Sequence, residues 1–381
     1  MIFTLANELL FWSVTALTAV MLLGTLYNFF TAPNLDNAPP PSTFPRVSLL
    51  IPARNEEENM RTLLPLLAGI RYPNLEILIL DDASEDATAA LAGAHGSVAT
   101  LLRGKPLPTG WLGKNWACAQ LAEHSTGDIL IFCDADVSMG SESVRTTVGM
   151  MQSDALDALT CLPRQTMGTW AEKAVLPVLL FLPVMGFVPI AYISKLSMPA
   201  LSLGCGQWFA FTRSAYDHLG RHAAVKDVIV EDMALGRLVK QTGLVLGVAI
   251  SPKDISTRMY RSFRTVWAGF SKNLAYLTGT GWLRPPLVLT AFLALHALPL
   301  IMVLEGYHAW ILPLALWLTC RLLTAVAFRE SWTGWMWSPI GALLIPIMGI
   351  RSWWGYRRRS VTWKGRTLSA AFTATTQEVK V

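Results

Sequence analysis

Two aspartates separated by one residue, Asp134 and Asp136, follow the apolar, β-prone run Ile129 to Cys133. Such a pair can hold a divalent cation, because hard cations such as Mg²⁺ and Mn²⁺ prefer oxygen ligands. Acidic residues also cap strands and begin turns. The pair by itself therefore leaves a metal site and a simple turn as alternatives.

Two further apolar runs end in charged residues. Leu75 to Leu80 is followed by Asp81 and Asp82, and Val47 to Pro52 is followed by the run from Arg54 to Glu56. In open α/β sheets, ligands bind outside the carboxyl ends of the strands. We therefore predict that the three runs lead to one crevice.

The charges of this predicted crevice suit a nucleoside diphosphate. Asp81 and Asp82 can accept hydrogen bonds from a base imide and ribose hydroxyls, while Asp134 and Asp136 can place Mg²⁺ or Mn²⁺ on the phosphates. Lys114, in Gly-Trp-Leu-Gly-Lys-Asn-Trp, lies at or near a predicted helix start, where it and free backbone N–H groups suit an anion. A solvated surface lysine is the alternative.

Two later motifs are candidates for the reacting end of such a site. Glu231 and Asp232 follow apolar residues, and one of these carboxylates can act as a general base on an acceptor hydroxyl. Helix-start capping is the alternative. Gly206 and Gln207, in Gly-Cys-Gly-Gln-Trp, can bring backbone and an aromatic wall against a sugar, with a bulged strand as the alternative.

Strand-length apolar runs alternate with helix-like stretches from residue 46 to residue 281. This alternation predicts an α/β fold with a mainly parallel sheet and helices on both faces. A helix is expected to begin near Glu56, and Ser84 to Asp86 to form an N-cap turn for the next helix. The predicted strands are Val47–Pro52, Leu75–Leu80, Val98–Leu102 and Ile129–Cys133.

The flanking sequence is apolar enough for a membrane protein: 52% of the chain is hydrophobic and only 15% is charged. Residues 1–33 are predicted to be an uncleaved anchor, because Leu9 to Phe30 carries no charge over roughly the 20 residues that cross a bilayer. The stretch before it lacks the basic region of a secretory signal. The proline-rich residues 34–45 are then a linker to the catalytic domain.

Residues 282–350 are predicted to contain a transmembrane hairpin of two helices, Pro285 to Leu304 and Ala309 to Phe328. Arg321 lies inside the second helix and must face a neighbour or a polar cavity, as a substrate contact or, more simply, in an ion pair or snorkelling to the interface. Residues 335–350 hold two prolines, and the charge distribution favours a re-entrant or interfacial segment over a third span. Residues 174–194 are likewise expected to lie at the interface rather than to span.

The tail, residues 351–381, interleaves arginine and lysine with tryptophan and tyrosine. This combination is typical of a cytoplasmic membrane surface and explains the positive charge better than nucleic-acid binding does. The five cysteines show no metal-ligand spacing, so no zinc site is implied and reduced thiols are expected. The sequence thus predicts a multi-pass membrane protein whose tail lies at the cytoplasmic membrane surface.

The order of the motifs resembles the inverting glycosyltransferases of family 2, which have the GT-A fold. The likeness covers about residues 46 to 260 and rests on Pro-Ala-Arg-Asn-Glu at 52–56, Asp-Asp-Ala-Ser at 81–84, Asp-Ala-Asp at 134–136 and Glu-Asp at 231–232. Gly-Trp-Leu-Gly-Lys-Asn-Trp-Ala-Cys at 110–118 and Val-Thr-Trp-Lys-Gly-Arg at 361–366 are similar to membrane enzymes that glycosylate polyisoprenoid lipids, the carotenoid- and hopanoid-associated glycosyltransferases.

This resemblance implies a role for each motif. Asp136, with Asp134 beside it, would bind Mg²⁺ or Mn²⁺, and Asp232 would be the base that deprotonates an acceptor hydroxyl as UDP departs. The residues implied in binding the nucleotide sugar are Pro52, Arg54, Glu56, Asp81, Asp82, Lys114, Asp134, Gly206, Gln207 and Glu231.

The expected activity is transfer of one sugar, with UDP-glucose as the expected donor, to a lipid such as a carotenoid or hopanoid-type polyisoprenoid. The Gln-x-x-Arg-Trp signature of processive synthases is replaced by Arg258-Met-Tyr-Arg261, which favours a single transfer. A processive polysaccharide synthase and a non-catalytic nucleotide-binding membrane scaffold are the alternatives.

Overall fold

A computed structural model of the protein describes residues 2–278, 282–358, 362–363 and 366–367. Two compact units emerge. A helical unit contains Met1–Ala32, Gln165–Ile190 and Tyr260–Thr367, and a sheet unit contains Pro33–Arg164 and Ala191–Met259. Each unit combines segments that are distant in sequence, whereas the predicted domains are contiguous. The predicted domain boundaries therefore stay a prediction.

Strands and helices alternate through most of the sheet unit. The elements of both units are numbered together along the described residues. The strands are β1 (Val47–Ala53), β2 (Leu75–Asp81), β3 (Thr100–Arg103), β4 (Ile129–Cys133), β5 (Val137–Met139), β6 (Ala158–Gln165), β7 (Trp208–Thr212), β8 (Leu246–Thr257), β9 (Thr362–Trp363) and β10 (Arg366–Thr367). The helices are α1 (Ile2–Thr31), α2 (Glu57–Ala68), α3 (Thr88–Ala94), α4 (Gly113–His124), α5 (Ser143–Ser153), α6 (Trp170–Leu176), α7 (Leu182–Phe187), α8 (Arg213–His218), α9 (Glu231–Gln241), α10 (Phe263–Thr278), α11 (Arg284–His296), α12 (Leu298–Leu304), α13 (Ile311–Ala327) and α14 (Trp332–Arg357).

The large sheet has the strand order β3-β2-β1-β4-β7-β6-β8-β5. Strands β3, β2, β1 and β4 run parallel, and β7 joins β4 in the antiparallel direction. Strand β4 is completely buried and β1 nearly so, as expected for apolar runs covered by helices on both faces. The α/β prediction is confirmed, and strands β1, β2 and β4 lie where the apolar runs placed them.

Two local predictions are displaced by a few residues. Strand β3 begins at Thr100 rather than at Val98, because the Val98 and Ala99 N–H groups close a turn onto the carbonyl of His95. Helix α3 begins at Thr88, after the predicted turn. Asp86 still stabilises this turn, since its Oδ1 accepts the Thr88 backbone N–H at 3.0 Å.

Residues 34–45, predicted to be a linker, pack as part of the sheet unit. Leu35 is 1% exposed and belongs to the main core. The Asp36 carboxylate accepts the Ser251 hydroxyl at 2.5 Å and the Lys253 backbone N–H at 2.9 Å. An added Cβ at Gly149 of α5 would lie 1.9 Å from the Pro39 carbonyl oxygen. Residues 34–45 are therefore packed in a fixed position along the sheet unit, and we call this segment the strap.

The helical unit begins with α1, which extends through the predicted anchor. Four helices of the described chain are long and apolar enough to cross a membrane: Asn7–Thr31, Trp170–Phe187, His308–Ala327 and Trp332–Arg357. The pair α11 and α12, bent by 49°, would make a fifth. Residues 335–350 belong to one continuous helix, and residues 170–187 are long enough to span. Whether these two segments cross the bilayer stays a prediction.

Arg321 of α13 is completely buried and paired within the helical unit. Its Nη2 donates to the carboxylate of Glu330, and its Nε donates to Ser338 Oγ at 2.8 Å. The simpler expectation, pairing rather than substrate contact, agrees with this arrangement. The predicted basic tail lies largely outside the described residues. Its described start carries Arg357, whose Cζ lies 3.3 Å from the centre of the Trp282 ring.

Candidate active site

The loops that follow β1 and β2 are joined to each other. Asn55 and Ala83 have left-handed backbone angles, with φ of 52° and 54°, an uncommon conformation for residues other than glycine. The Asn55 N–H donates to Ser84 Oγ at 2.9 Å, and the Glu85 N–H donates to Asn55 Oδ1 at 2.8 Å. The two predicted nucleotide-binding motifs thus form one cross-linked edge.

Each aspartate of the β2 motif has a basic neighbour. Asp81 is 3% exposed, and its carboxylate forms a 2.9 Å salt bridge with Arg103. Arg54 Nη1 donates to the Asp82 carbonyl oxygen at 2.8 Å. Three of the predicted nucleotide-binding residues, Arg54, Asp81 and Asp82, are therefore held together at the ends of neighbouring parallel strands.

Lys114 joins two motifs that are far apart in the sequence. It lies in the first turn of α4, as predicted, and its Nζ lies 2.8 Å from Asp134 Oδ1 and 2.9 Å from Glu231 Oε1. Burial lowers the pKa of the Lys114 ammonium, but the carboxylates of Asp134 and Glu231 outweigh this effect and hold that pKa well above its usual value. Lys114 is therefore a permanent positive charge between two acids.

Asp232 lies beside this ion pair, in the first turn of α9. Its Oδ2 accepts the Gly206 backbone N–H at 2.8 Å, and its Oδ1 accepts the Met233 backbone N–H at 2.8 Å. Burial and the negative charge of Glu231 raise the pKa of Asp232 to about 6. The carboxylate is thus ionised at neutral pH but binds a proton more readily than an ordinary aspartate does.

One cavity of the sheet unit brings much of the predicted site together. Pro52 and Asp134 reach it from the carboxyl ends of β1 and β4, and Gly206 reaches it because the antiparallel pairing of Cys133 with Trp208 brings the start of β7 to the same edge. The lining residues are Pro52, Lys114, Cys118, Phe132, Cys133, Asp134, Gly206, Phe209, Phe211, His222, Glu231, Asp232 and Leu235.

The other predicted residues lie outside this cavity. Arg54, Asp81 and Asp82 form the cross-linked edge described above, and Asp136 follows Asp134 by two residues. Glu56 precedes α2, where its Oε2 accepts the Asn59 side-chain amide at 2.6 Å. Gln207 is 7% exposed, with its Oε1 3.7 Å from Cys205 Sγ. The predicted site is thus divided between a cavity and an adjoining strand edge.

The residues of the Asp134 motif fit a divalent cation in part. Asp136 Oδ1 is buried and has no hydrogen-bond partner among the described residues. Burial, followed by the charges of Asp134 and Glu56, raises the pKa of Asp136 to about 7, and these effects outweigh the opposing charge of Lys114. No group of three described His, Cys, Asp or Glu residues is arranged to hold a metal alone. Asp136 therefore suits a cation that takes its remaining ligands from phosphate and water.

An aromatic group that the sequence analysis did not identify forms another wall of the cavity. His222 Nδ1 lies 2.7 Å from the Tyr216 hydroxyl, and the His222 ring centre lies 4.7 Å from that of Phe132. Burial lowers the pKa of His222 to about 4, so its imidazole is neutral at pH 7. His222 belongs to no motif in the sequence, so nothing in the sequence indicates this position.

The family of the chain follows from a match over almost its whole length. The model of glycosyl transferase family 21 matches residues 14–374. The chain belongs to glycosyl transferase family 21. Family 21 is thus the family that the comparison shows, whereas the motifs by themselves resemble family 2.

Two bacterial relatives of this family 21 chain carry the same name. The 4,4'-diaponeurosporenoate glycosyltransferase of Staphylococcus haemolyticus is 29% identical over 236 residues, which are 60% of this chain and 61% of that protein. The protein of the same name from Staphylococcus aureus strain USA300 is 26% identical over 255 residues, 64% of each chain. The alignments therefore span somewhat under two thirds of these relatives.

A solved structure supports the fold. The mannosyltransferase PcManGT from Pyrobaculum calidifontis, in complex with GDP-Man and Mn²⁺, has a TM-score of 0.51 and 19% identity, and the alignment covers 91% of this chain and 98% of that one. At this identity the likeness concerns the fold alone. The predicted GT-A fold of this family 21 member is confirmed.

Proposed function

We propose that this protein is a membrane-bound inverting glycosyltransferase that moves a single sugar from a UDP-sugar, with UDP-glucose as the expected donor, to a lipid acceptor. The observation that carries the proposal is the position of Asp232. Its carboxylate lines a cavity beside Lys114 and Asp134, and it is not itself in a salt bridge among the described residues. It is therefore available to take a proton.

The proposed reaction is a single displacement. Where the acceptor group is a hydroxyl, it gives its proton to the Asp232 carboxylate, and its oxygen forms a bond to the anomeric carbon of the sugar. An acceptor carboxylate, already ionised, forms this bond without giving up a proton. The bond from that carbon to the β-phosphate oxygen breaks on the opposite side, and UDP leaves with both bonding electrons. Attack opposite to the leaving group inverts the configuration. Each oxygen of Asp232 already accepts one backbone N–H, and a carboxylate oxygen retains a second lone pair for the proton.

Lys114 and the strand-edge acids have complementary roles in this proposal. The Lys114 ammonium lies next to Asp134 and stabilises the negative charge that develops on departing UDP. Asp81 and Asp82, fixed by the basic residues beside them, accept hydrogen bonds from the base and the ribose. Asp136, with Asp134 beside it, would hold Mg²⁺ or Mn²⁺, which supplies charge neutralisation on the diphosphate when bound.

The lipid acceptor is proposed from two features. The relatives named diaponeurosporenoate glycosyltransferase, after a carotenoid acid, support a carotenoid or similar polyisoprenoid as acceptor. The four apolar helices support an enzyme whose acceptor is dissolved in the membrane. We place the chain in the inner membrane with the catalytic domain in the cytoplasm, where nucleotide sugars are made.

Asp232→Asn tests the proposal, and its effect should differ between a lipid alcohol and a lipid acid as acceptor. A hydroxyl needs a base, so transfer to a lipid alcohol should fall by about 10²- to 10⁴-fold. A carboxylic acid is already ionised at pH 7, so transfer to the matching lipid acid should fall far less. Rates are measured with radiolabelled UDP-glucose in detergent micelles, and UDP binding is measured by calorimetry.

Asp154→Asn is the matched control, because Asp154 is an exposed aspartate at the end of α5. It should behave as wild type with both acceptors. Undiminished transfer to the alcohol by Asp232→Asn, with the protein folded, would show that Asp232 is not the base.

Two other functions would give different products. A processive synthase would produce lipids with several added sugars, which mass spectrometry of the product distinguishes from a single mass increment. A nucleotide-binding scaffold would bind UDP without consuming a UDP-sugar. We favour the single transfer because Arg258-Met-Tyr-Arg261 stands where processive synthases have Gln-x-x-Arg-Trp.

A further inference from the structure

The segment before β7 touches helix α9 backbone to backbone. An added Cβ at Gly204 would lie 1.9 Å from the carbonyl oxygen of Asp232, and an added Cβ at Gly236 would lie 2.4 Å from the carbonyl oxygen of Leu203. Both obstacles are main-chain atoms, which cannot turn aside as a flexible side chain can. Glycine at positions 204 and 236 therefore permits a close main-chain contact between this segment and α9. A side chain at either position would force the two apart.

The same segment is fixed to α9 a second time, near the end of the helix. The Lys240 side chain is 5% exposed and donates to the carbonyl oxygens of Ile193 and, at 2.8 Å, of Leu196. Burial lowers the pKa of Lys240. An amine this buried is retained only with good hydrogen-bond partners, and here its partners are carbonyls of the segment. Residues 193–206 are thus attached to α9 at both ends.

This attachment determines which backbone groups lie next to the Asp232 carboxylate. Gly206 follows Gly204 by two residues, and its N–H donates to Asp232 Oδ2 at 2.8 Å. An added Cβ at Gly206 would lie 2.9 Å from Lys114 Nζ, so the main chain also passes close to the ammonium. A shift of the segment by an ångström would remove the N–H from Oδ2 and alter the distance to Lys114.

We propose that Gly204 and Gly236, supported by Lys240, are positioning residues that hold the Gly206 N–H on Asp232 and so fix the direction of its proton-accepting oxygen. The inference rests on the proposed function, since it assigns these residues an effect on transfer that acts through Asp232. None of the three is expected to touch the donor or the acceptor.

Gly204→Ala is the direct test. A displacement of about 1 Å at a catalytic group can cost about 10²-fold in rate, and we expect a loss of that order in transfer to a lipid alcohol. The acidic limb of the pH–rate profile should move to higher pH, because a carboxylate that loses an N–H donor holds its proton more tightly. UDP binding should change much less. Gly93→Ala is the matched control, since its added Cβ would meet only Leu101 Cδ2 at 3.5 Å.

Combination with Asp232→Asn shows whether the effect passes through the base. Groups that act as a unit are not additive, so Gly204→Ala should cost little more once Asp232 is already asparagine. A further loss of about 10²-fold in that background would overturn the inference. Failure of the proposed function appears differently, as an Asp232→Asn protein that retains wild-type transfer.

Lys240→Met provides a second route that adds no atom near Asp232. It should shift the acidic limb in the same direction, by less than Gly204→Ala does. Should Gly204→Ala fail to fold, Lys240→Met decides the matter. An unmoved acidic limb in a folded protein carrying either substitution would refute the positioning role.

Discussion

Lys114 of the sheet unit and Arg321 of the helical unit are both cations paired with carboxylates, yet their surroundings differ. The Lys114 side chain is 39% exposed and lies between Asp134 and Glu231 beside a cavity. The Arg321 and Glu330 side chains are both 0% exposed. One ion pair can exchange partners with a ligand, whereas the other is closed inside packed helices.

This difference separates binding from stability. The sequence makes both residues candidates for a substrate contact. Lys114 lies near a predicted helix start, which suits an anion, and Arg321 lies inside an apolar helix. Their exposure distinguishes them, because a fully buried ion pair cannot reach a ligand. Such a pair affects the free energy of unfolding instead. We therefore expect mutation of Arg321 to affect the stability of the protein and mutation of Lys114 to affect the chemistry.

Arg321→Met should have the largest effect on stability. It leaves the Glu330 carboxylate buried without its counter-charge, and breaking a buried pair in this way costs about 3–5 kcal/mol. The free energy of unfolding in mixed micelles measures the loss.

The double substitution Arg321→Met with Glu330→Gln is the control for this prediction. It removes both charges and should recover most of the lost stability. A stable Arg321→Met protein with impaired transfer would reverse our comparison and give Arg321 a role in the site.

Lys114→Met should lower transfer by about 10²- to 10³-fold, the usual range for loss of one group that stabilises a developing negative charge. Its stability should fall less than that of Arg321→Met, because the side chain of Asp134 is 28% exposed beside the cavity, although that of Glu231 is only 9% exposed. Lys253→Met, at an exposed lysine of the sheet unit, should leave the rate unchanged. A large loss of stability without a loss of rate per folded molecule would contradict the distinction.

Asp136→Asn should remove the stabilisation that Mn²⁺ and UDP together give the folded protein. A ligand at about 100 times its dissociation constant adds roughly 2.7 kcal/mol to the wild type. Without metal the substitution should cost little, since Asp136 Oδ1 has no hydrogen-bond partner among the described residues. Thermal shift with and without Mn²⁺ measures both quantities. Equal protection of wild type and Asp136→Asn would exclude this carboxylate as a ligand.

The pH dependence of transfer should show the smallest effect. Asp232 must be ionised to accept a proton, and its pKa is raised to about 6. Transfer to a lipid alcohol should therefore be lost as the pH falls through about 6 and be fully present above it, with about a tenfold fall per pH unit below the midpoint. The midpoint is read from initial rates between pH 4.5 and 8, roughly the range over which such a group titrates. A profile flat down to pH 4.5 would exclude Asp232.

The parallel half of the sheet could be predicted because its strands are continuous apolar runs. Val47, Leu75 and Ile129 begin strands where such runs begin, and the acids that follow come to one edge by the rule for parallel sheets. The antiparallel half is not predicted from the sequence, because β6 and β8 have mixed composition and because the partners of β7, although it is apolar, lie in distant chain segments. This half nevertheless brings Gly206 to the site.

The contacts within the site could not be derived from the sequence either. The types of Lys114, Asp134 and Glu231 indicate phosphate and metal chemistry, but their mutual salt bridges depend on how α4 packs against β1 and β2 and how α9 packs against β8. Spacing along the chain contains no information about such distances. The same holds for Gly204, whose importance lies in a neighbour 28 positions away.

The strap formed by residues 34–45 affects how this protein should be shortened for crystallography or enzyme assays. A soluble fragment designed from sequence would discard the proline-rich stretch with the anchor and start near Phe44. Such a fragment would expose the pocket that holds Leu35 and leave three donors on β8 without the Asp36 carboxylate. A fragment that begins at Pro33 retains these contacts and should therefore be more stable than one that begins near Phe44.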